Sequence, residues 1–136
     1  MKIKKVVETS IYSSNLEKMK DFYVDKLGLE LVSQQSDRHV FLNRDKNMLL
    51  IFNYATTGAE KETYHGAPTT PSIVHFAFEI EEEQYEEAKK LLLENDIQVE
   101  KEIVWENDIK SRSIYFRDPA NNLVEFITRN YWNLND

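Results

Sequence analysis

The chain contains no cysteine, and only three glycines and three prolines among its 136 residues. Without cysteine there is no disulfide, no thiolate metal ligand, no cysteine nucleophile and no thiol switch, so a bound metal must be held by nitrogen and oxygen alone. Three glycines are too few for a phosphate-cradling glycine loop, and no nucleophile triad is evident. Long apolar runs are missing as well. The longest, Met48 to Phe52, falls far short of a membrane span, and Met1 to Tyr12 carries lysines but no signal-peptide core. A cytoplasmic protein with no membrane partner is expected. Positive charge is also scarce, with 17 Lys+Arg against 24 Asp+Glu and a net charge of -7. No stripe of basic residues interleaved with aromatics offsets the repulsion of phosphate backbones, which argues against nucleic acid as a partner. What remains is enough apolar material, 41% of residues, for one compact domain.

One stretch has linker character. Thr56 to Pro71 contains Gly58, Gly66, Pro68 and Pro71 with little apolar periodicity, and it divides the chain nearly in half. The first half opens with an expected strand, Ile3 to Tyr12. A capping-box-like start follows at Ser14, Asn15 and Glu17, then a helix with Leu16, Met19, Phe22, Tyr23 and Leu27 on one face and Gly28 as a left-handed stop. Three strands are expected near Leu29 to Gln34, Arg38 to Asn43 and Met48 to Asn53. The second half repeats the order: a strand at Ser72 to Ile80, and a helix at Glu82 to Glu94 that buries Tyr85, Ala88, Leu91 and Leu92 and ends at Asn95 in place of glycine. Strands then follow near Ile97 to Lys101, Ser111 to Arg117 and Leu123 to Thr128, the last two joined by a tight turn at Asp118 to Asn122. The fold class is therefore α+β, built from two βαβββ modules at about 3–55 and 72–128 joined by a loop at 56–71. Each half alone closes only a marginal core, so the sheets are expected to pair side by side or across a homodimer. The tail from Asn130 to Asp136 is expected to pack through Tyr131 and Trp132.

Strand side chains alternate between faces, so parity separates core from chemistry. One parity of the second half reads Val74, Phe76, Phe78, Ile114, Phe116, Val124 and Phe126, which suits burial under the helix. The other reads His75, Ala77, Ser111, Ser113, Tyr115, Arg117, Leu123 and Glu125, a polar set suited to a cleft. In the first half Glu8 interrupts its strand at the position matching His75. On residues alone these groups read either as a site or as solvated strand residues beside a hydrogen-bonded histidine. His39 and His65 lack a second ligand at helical spacing and are expected at the surface. Arg117 is expected to be solvated, and the glutamates from Glu79 to Glu87 to form the exposed start of a helix. Trp105 reads equally as a lid over the cleft or as packing at its edge.

The repeated βαβββ order, with Asp21-Phe22-Tyr23 leading to Leu27-Gly28 and with Tyr115-Phe116-Arg117-Asp118-Pro119 ahead of Glu125, resembles the vicinal oxygen chelate superfamily over about Ile3 to Thr128. That superfamily includes glyoxalase I, extradiol dioxygenases, bleomycin-resistance proteins and fosfomycin-resistance thiol transferases. The resemblance implies a glyoxalase-like mixed-sheet cleft with metal ligands at Glu8, His75 and Glu125. It implies a divalent ion, Mn, Ni, Zn or Fe, that chelates neighbouring oxygens of a small-molecule substrate. Tyr115 and Glu125 are the catalytic candidates, Tyr115 as a hydrogen-bond donor to a developing oxyanion. Two departures narrow the reaction. The strand Met48 to Asn53 offers no carboxylate for the fourth ligand of glyoxalase I, and Glu8 stands where dioxygenases and fosfomycin-resistance enzymes have histidine. A lyase, isomerase or group transferase is expected, with a metal-free, bleomycin-resistance-like binding protein as the alternative.

Overall fold

The computed structural model describes residues 1–60, 70–128 and 131–132. The chain divides into two compact units, Met1–Ser72 and Ile73–Asp136, each built around a four-stranded mixed sheet.

In the first unit β1 (Glu8–Ser13) leads into α1 (Leu16–Lys20), which widens into a π-helical turn at Asp21–Lys26 before β2 (Glu30–Gln35), β3 (His39–Arg44), β4 (Asn47–Asn53) and the short α2 (Tyr54–Thr57). The cap of α1 is Asn15, whose Oδ1 accepts from the Lys18 backbone N–H at 3.1 Å, so the start lies one residue past the Ser14–Glu17 box read from sequence. The widened turn, marked by the Leu27 N–H reaching back to Phe22 O at 3.0 Å, lets the consecutive Phe22 and Tyr23 both bury. Gly28, at φ 83°, is the left-handed stop expected. The sheet order is β1-β4-β3-β2, with β1 parallel to β4 and the other pairs antiparallel. Ile11, Val40, Leu42, Leu49 and Ile51 face the helix with Met19 and Phe22 to make the core. The strand expected from Ile3 begins only at Glu8. Ile3, Val6 and Val7 are exposed and unpaired with the sheet apart from the Met48 N–H to Val7 O bond of 2.8 Å.

The second unit repeats the plan with β5 (His75–Ile80), a 3₁₀ turn at Glu82–Gln84 running into α3 (Tyr85–Glu94), β6 (Lys101–Val104), β7 (Arg112–Arg117) and β8 (Leu123–Thr128). Its order is β5-β8-β7-β6, again with the first strand parallel to the last. Tyr85, Leu92, Ile114, Phe116, Val124 and Phe126 form its core, as parity predicts. Two details differ from the sequence reading. Asn95 keeps a right-handed backbone and caps Leu91 O with its side chain at 2.8 Å, while the left-handed residue is Asp96 at φ 56°. Strand β6 begins at Lys101 rather than Ile97, because Ile97 turns inward to the core, its N–H on Leu92 O. His65 and most of the expected linker lie outside the described residues.

Candidate functional site

The site in the second unit is set by the turn between β7 and β8. Asp118 Oδ1 accepts the backbone N–H groups of Ala120 and Asn122, both at 2.9 Å, and Asn121 takes the left-handed geometry at φ 68°. The buried Asn122 side chain then works in two directions. Its Nδ2 donates to Asp118 Oδ2 at 2.9 Å, and its Oδ1 accepts from the Val74 N–H at 2.9 Å. That bond, with Leu123 N–H to Val74 O at 2.9 Å, locks β5 beside β8 at the residue preceding His75.

The resulting register places His75 opposite Leu123 and Ala77 opposite Glu125. Ala77 leaves room beside the carboxylate, and His75 reaches it diagonally, Nε2 lying 3.2 Å from Glu125 Oε1. The ring is half exposed, whereas the carboxylate is buried. His75 Nδ1 lies 3.0 Å from the Leu123 carbonyl, which can only accept, so Nδ1 carries a proton. In the neutral ring the Nε2 lone pair then faces a carboxylate lone pair. Two acceptors at this distance are compatible only with a positive species shared between them, a proton or a cation. This donor pair suits a divalent ion that accepts imidazole and carboxylate.

The other Glu125 oxygen is occupied. Ser113, fully buried, donates its hydroxyl to Oε2 at 2.5 Å, and the Trp105 indole N–H donates to Ser113 Oγ at 2.8 Å. Trp105 in turn packs against Tyr131, ring centroids 4.9 Å apart. Tyr115 sits directly opposite Glu125 in the β7–β8 ladder, 6.0 Å ring to ring from His75. Burial, then the nearby Glu125 charge, hold its phenol pKa above the ordinary value, so it stands as a hydrogen-bond donor at neutral pH. Arg117 is turned away, paired with Glu100 at 3.2 and 3.3 Å.

Glu8 lies on the first strand of the other unit, exposed and opposite Met48. Among the described residues no group of three or more His, Asp or Glu gathers to hold one ion. The two registers make the comparison between modules explicit. Glu8 opposite Met48 corresponds to His75 opposite Leu123, and Ser10 opposite Leu50 corresponds to Ala77 opposite Glu125. The counterpart of Glu125 in the first module is therefore Leu50, which cannot ligate.

His39, expected at the surface, is instead buried. It stacks on Phe41 with centroids 4.0 Å apart, and the Arg38 guanidinium donates to its Nδ1 at 2.6 Å. Arg38 is itself clamped by Glu60 at 2.9 and 3.2 Å. Burial first, and the Arg38 charge second, push the His39 pKa below its ordinary value. Its strand position gave no hint of this, because the covering groups come from Arg38 and from Glu60, 22 positions along the chain. On the same sheet face Tyr12 stacks with Phe52 at 6.1 Å and Phe41 meets Phe52 edge-on at 5.3 Å, an aromatic row.

The model of the Glyoxalase/Bleomycin resistance protein/Dioxygenase superfamily matches residues 5–126. The chain belongs to this superfamily. Its structure is similar to that of a lactoylglutathione lyase from Agrobacterium tumefaciens, with a TM-score of 0.87 and 27% identity over 98% of this chain and 100% of that one. An integron cassette protein from the mobile metagenome of Halifax Harbour sewage outfall is similar at 29% identity and a TM-score of 0.72, over 93% of this chain and 99% of that one. A glyoxalase/bleomycin resistance protein/dioxygenase from Nocardioides shares the fold at 18% identity and a TM-score of 0.75, over 94% and 85%. No curated protein matches the chain. The α+β architecture of two βαβββ modules is that of the superfamily.

Proposed function

We propose that this superfamily member is a metal-dependent enzyme of lyase, isomerase or group-transfer type acting on a small oxygenated molecule. His75 and Glu125 are two ligands of its ion. The observation that carries the reading is the pair of facing acceptors, His75 Nε2 and Glu125 Oε1 at 3.2 Å, with Nδ1 already committed to the Leu123 carbonyl. A divalent ion there, Mn, Ni, Zn or Fe, would supply Lewis-acid stabilisation of a developing oxyanion on a substrate with neighbouring oxygens. His75 presents Nε2 because its other nitrogen is tied down, and Glu125 presents Oε1 because its other oxygen is taken by Ser113. Tyr115, protonated and opposite Glu125, donates a hydrogen bond to the substrate oxygen. The reading includes a cytoplasmic homodimer and a single glyoxalase-like domain.

Metal analysis of purified protein tests it. One equivalent of divalent ion per chain is expected in the wild type and is lost in both His75→Ala and Glu125→Ala, with folding retained. A wild-type protein that stays empty through a metal titration overturns the enzyme reading. The second reading, a binding protein of bleomycin-resistance type that sequesters a small planar molecule, is favoured by the aromatic row of Tyr12, Phe41 and Phe52. It predicts binding of a flat aromatic cation in chelator, which the enzyme reading does not.

A further inference from the structure

The Trp105–Ser113–Glu125 relay has more order than packing alone requires. Ser113 has a single hydroxyl proton, and it points to Glu125 because its lone pair receives the Trp105 N–H. The indole is itself held on several sides. The Trp105 backbone N–H donates to Ser111 O at 2.8 Å, and Asn107 closes the loop through its Oδ1 to the Ser111 N–H at 2.9 Å and its Nδ2 to Ser111 Oγ at 3.2 Å. Tyr131 packs against the ring, tilted by 60°. A carboxylate free to rotate about its last torsion can present either or both oxygens to a cation, whereas one whose Oε2 accepts a short bond from a buried hydroxyl is held in one orientation with Oε1 as its open oxygen.

We propose that Ser113 and Trp105 are positioning residues for Glu125, tying down Oε2 so that the carboxylate meets the ion through Oε1 alone, on the side of His75. The proposal rests on the ion site described above. It assigns a role to two residues whose side chains are not themselves ligands. Outer-shell partners of this kind change metal affinity by about 10- to 100-fold when removed.

The test uses Co(II) as the probe on the full chain, with calorimetric affinity and the visible d–d spectrum as readouts. Ser113→Ala is expected to weaken cobalt binding by about tenfold or more and to lower the d–d absorptivity, because the released carboxylate binds through both oxygens and raises the coordination number. Ser113→Thr, which keeps the hydroxyl, is expected to restore both. Trp105→Phe, which keeps a ring against Tyr131 but lacks the N–H, shifts the spectrum in the same direction by a smaller amount. A folded S113A protein with wild-type cobalt affinity and spectrum overturns the proposal while leaving the ion site standing. Should S113A fail to fold, W105F decides: an unchanged spectrum overturns the proposal and a shifted one supports it. Wild-type protein that takes up no cobalt overturns the ion site, and the proposal falls with it.

Discussion

Replacing Asn122 by alanine should release β5 from β8. The side chain is fully buried and makes two bonds that alanine cannot, one accepting from the Val74 N–H and one donating to the Asp118 carboxylate, both at 2.9 Å. A neutral hydrogen bond contributes about 1 kcal/mol and one to a charged group about 2 kcal/mol, so the loss is about 3 kcal/mol. With an unfolding entropy of about 2.1 cal/mol/K per residue, the 136-residue chain should melt about 10 °C lower. Urea unfolding should show the same loss as a lower midpoint at unchanged slope. Amide exchange provides the local check, since the Val74 N–H should exchange much faster than the N–H groups of β7. Asn122→Asp keeps the acceptor for Val74 but sets a second carboxylate against Asp118. It should be at least as destabilised at neutral pH and partly recover in acid, as the pair takes up a proton. An N122A protein within about 0.5 kcal/mol of wild type, with Val74 still protected, would refute the idea that this side chain fixes the position of His75.

Three further outcomes follow from the same geometry. Because burial and Arg38 hold the His39 pKa below its ordinary 6.5, the unfolded chain binds the proton more readily; the stability this histidine contributes is complete above about pH 6.5 and is lost as pH falls toward the lower folded value. His39→Gln should flatten that slope, which for one proton cannot exceed about 1.4 kcal/mol per pH unit, as read from urea midpoints between pH 7 and 5. Gly28→Ala meets open space but must hold φ at 83°, so it should cost about 1–2 kcal/mol of strain in thermal unfolding without disturbing the core. Tyr85→Phe removes the 2.8 Å bond to Glu102, which is the largest cause of the depressed Glu102 pKa; the carboxyl should titrate nearer its ordinary value by NMR, at a stability cost of about 1 kcal/mol.

The succession of elements along the chain and the two faces of the second module's strands were legible in the sequence because alternation is a property of neighbouring residues. Phe116, Val124 and Phe126 declare the core without reference to anything distant. Strand ends were less legible. Val6 and Val7 have β-forming side chains but reach the sheet through one backbone bond, and nothing local in the sequence tells that β4 extends no further to pair with them. His75, Tyr115 and Glu125 could be placed on one face from parity, and the structure brings them together. The relay behind Glu125 could not, since the Trp105 indole meets Ser113 only after the β6–β7 hairpin has closed with Val104 opposite Arg112. His39 failed for a related reason: its cover is a guanidinium fixed by a glutamate far along the chain.

The duplicated frame makes the unequal chemistry of the modules informative. In both, the first strand runs parallel to the last with the same offset, so each module offers two facing positions at its sheet edge. In the second these hold His75 and Glu125, and the position beside the carboxylate is the small Ala77. In the first they hold Glu8 and Leu50, with Ser10 in the matching place. Backbone register alone therefore does not create the site, since an identical register in the first module yields an acidic residue beside an aliphatic one. What distinguishes the second module is the set of groups that satisfy its carboxylate: Ser113 on one oxygen and His75 on the other. A buried carboxylate without such partners would carry a desolvation cost of several kcal/mol. The counterpart of Ser113 in the first module follows from the same bookkeeping of registers. Ser113 pairs with Ile127, two residues beyond Glu125, as Phe41 and His39 pair with Leu50 and Phe52. The place of the hydroxyl is thus taken by the buried ring of His39, which stacks on Phe41 and accepts at Nδ1 from the Arg38 guanidinium, so the matching position in the first module is already engaged by groups of its own sheet.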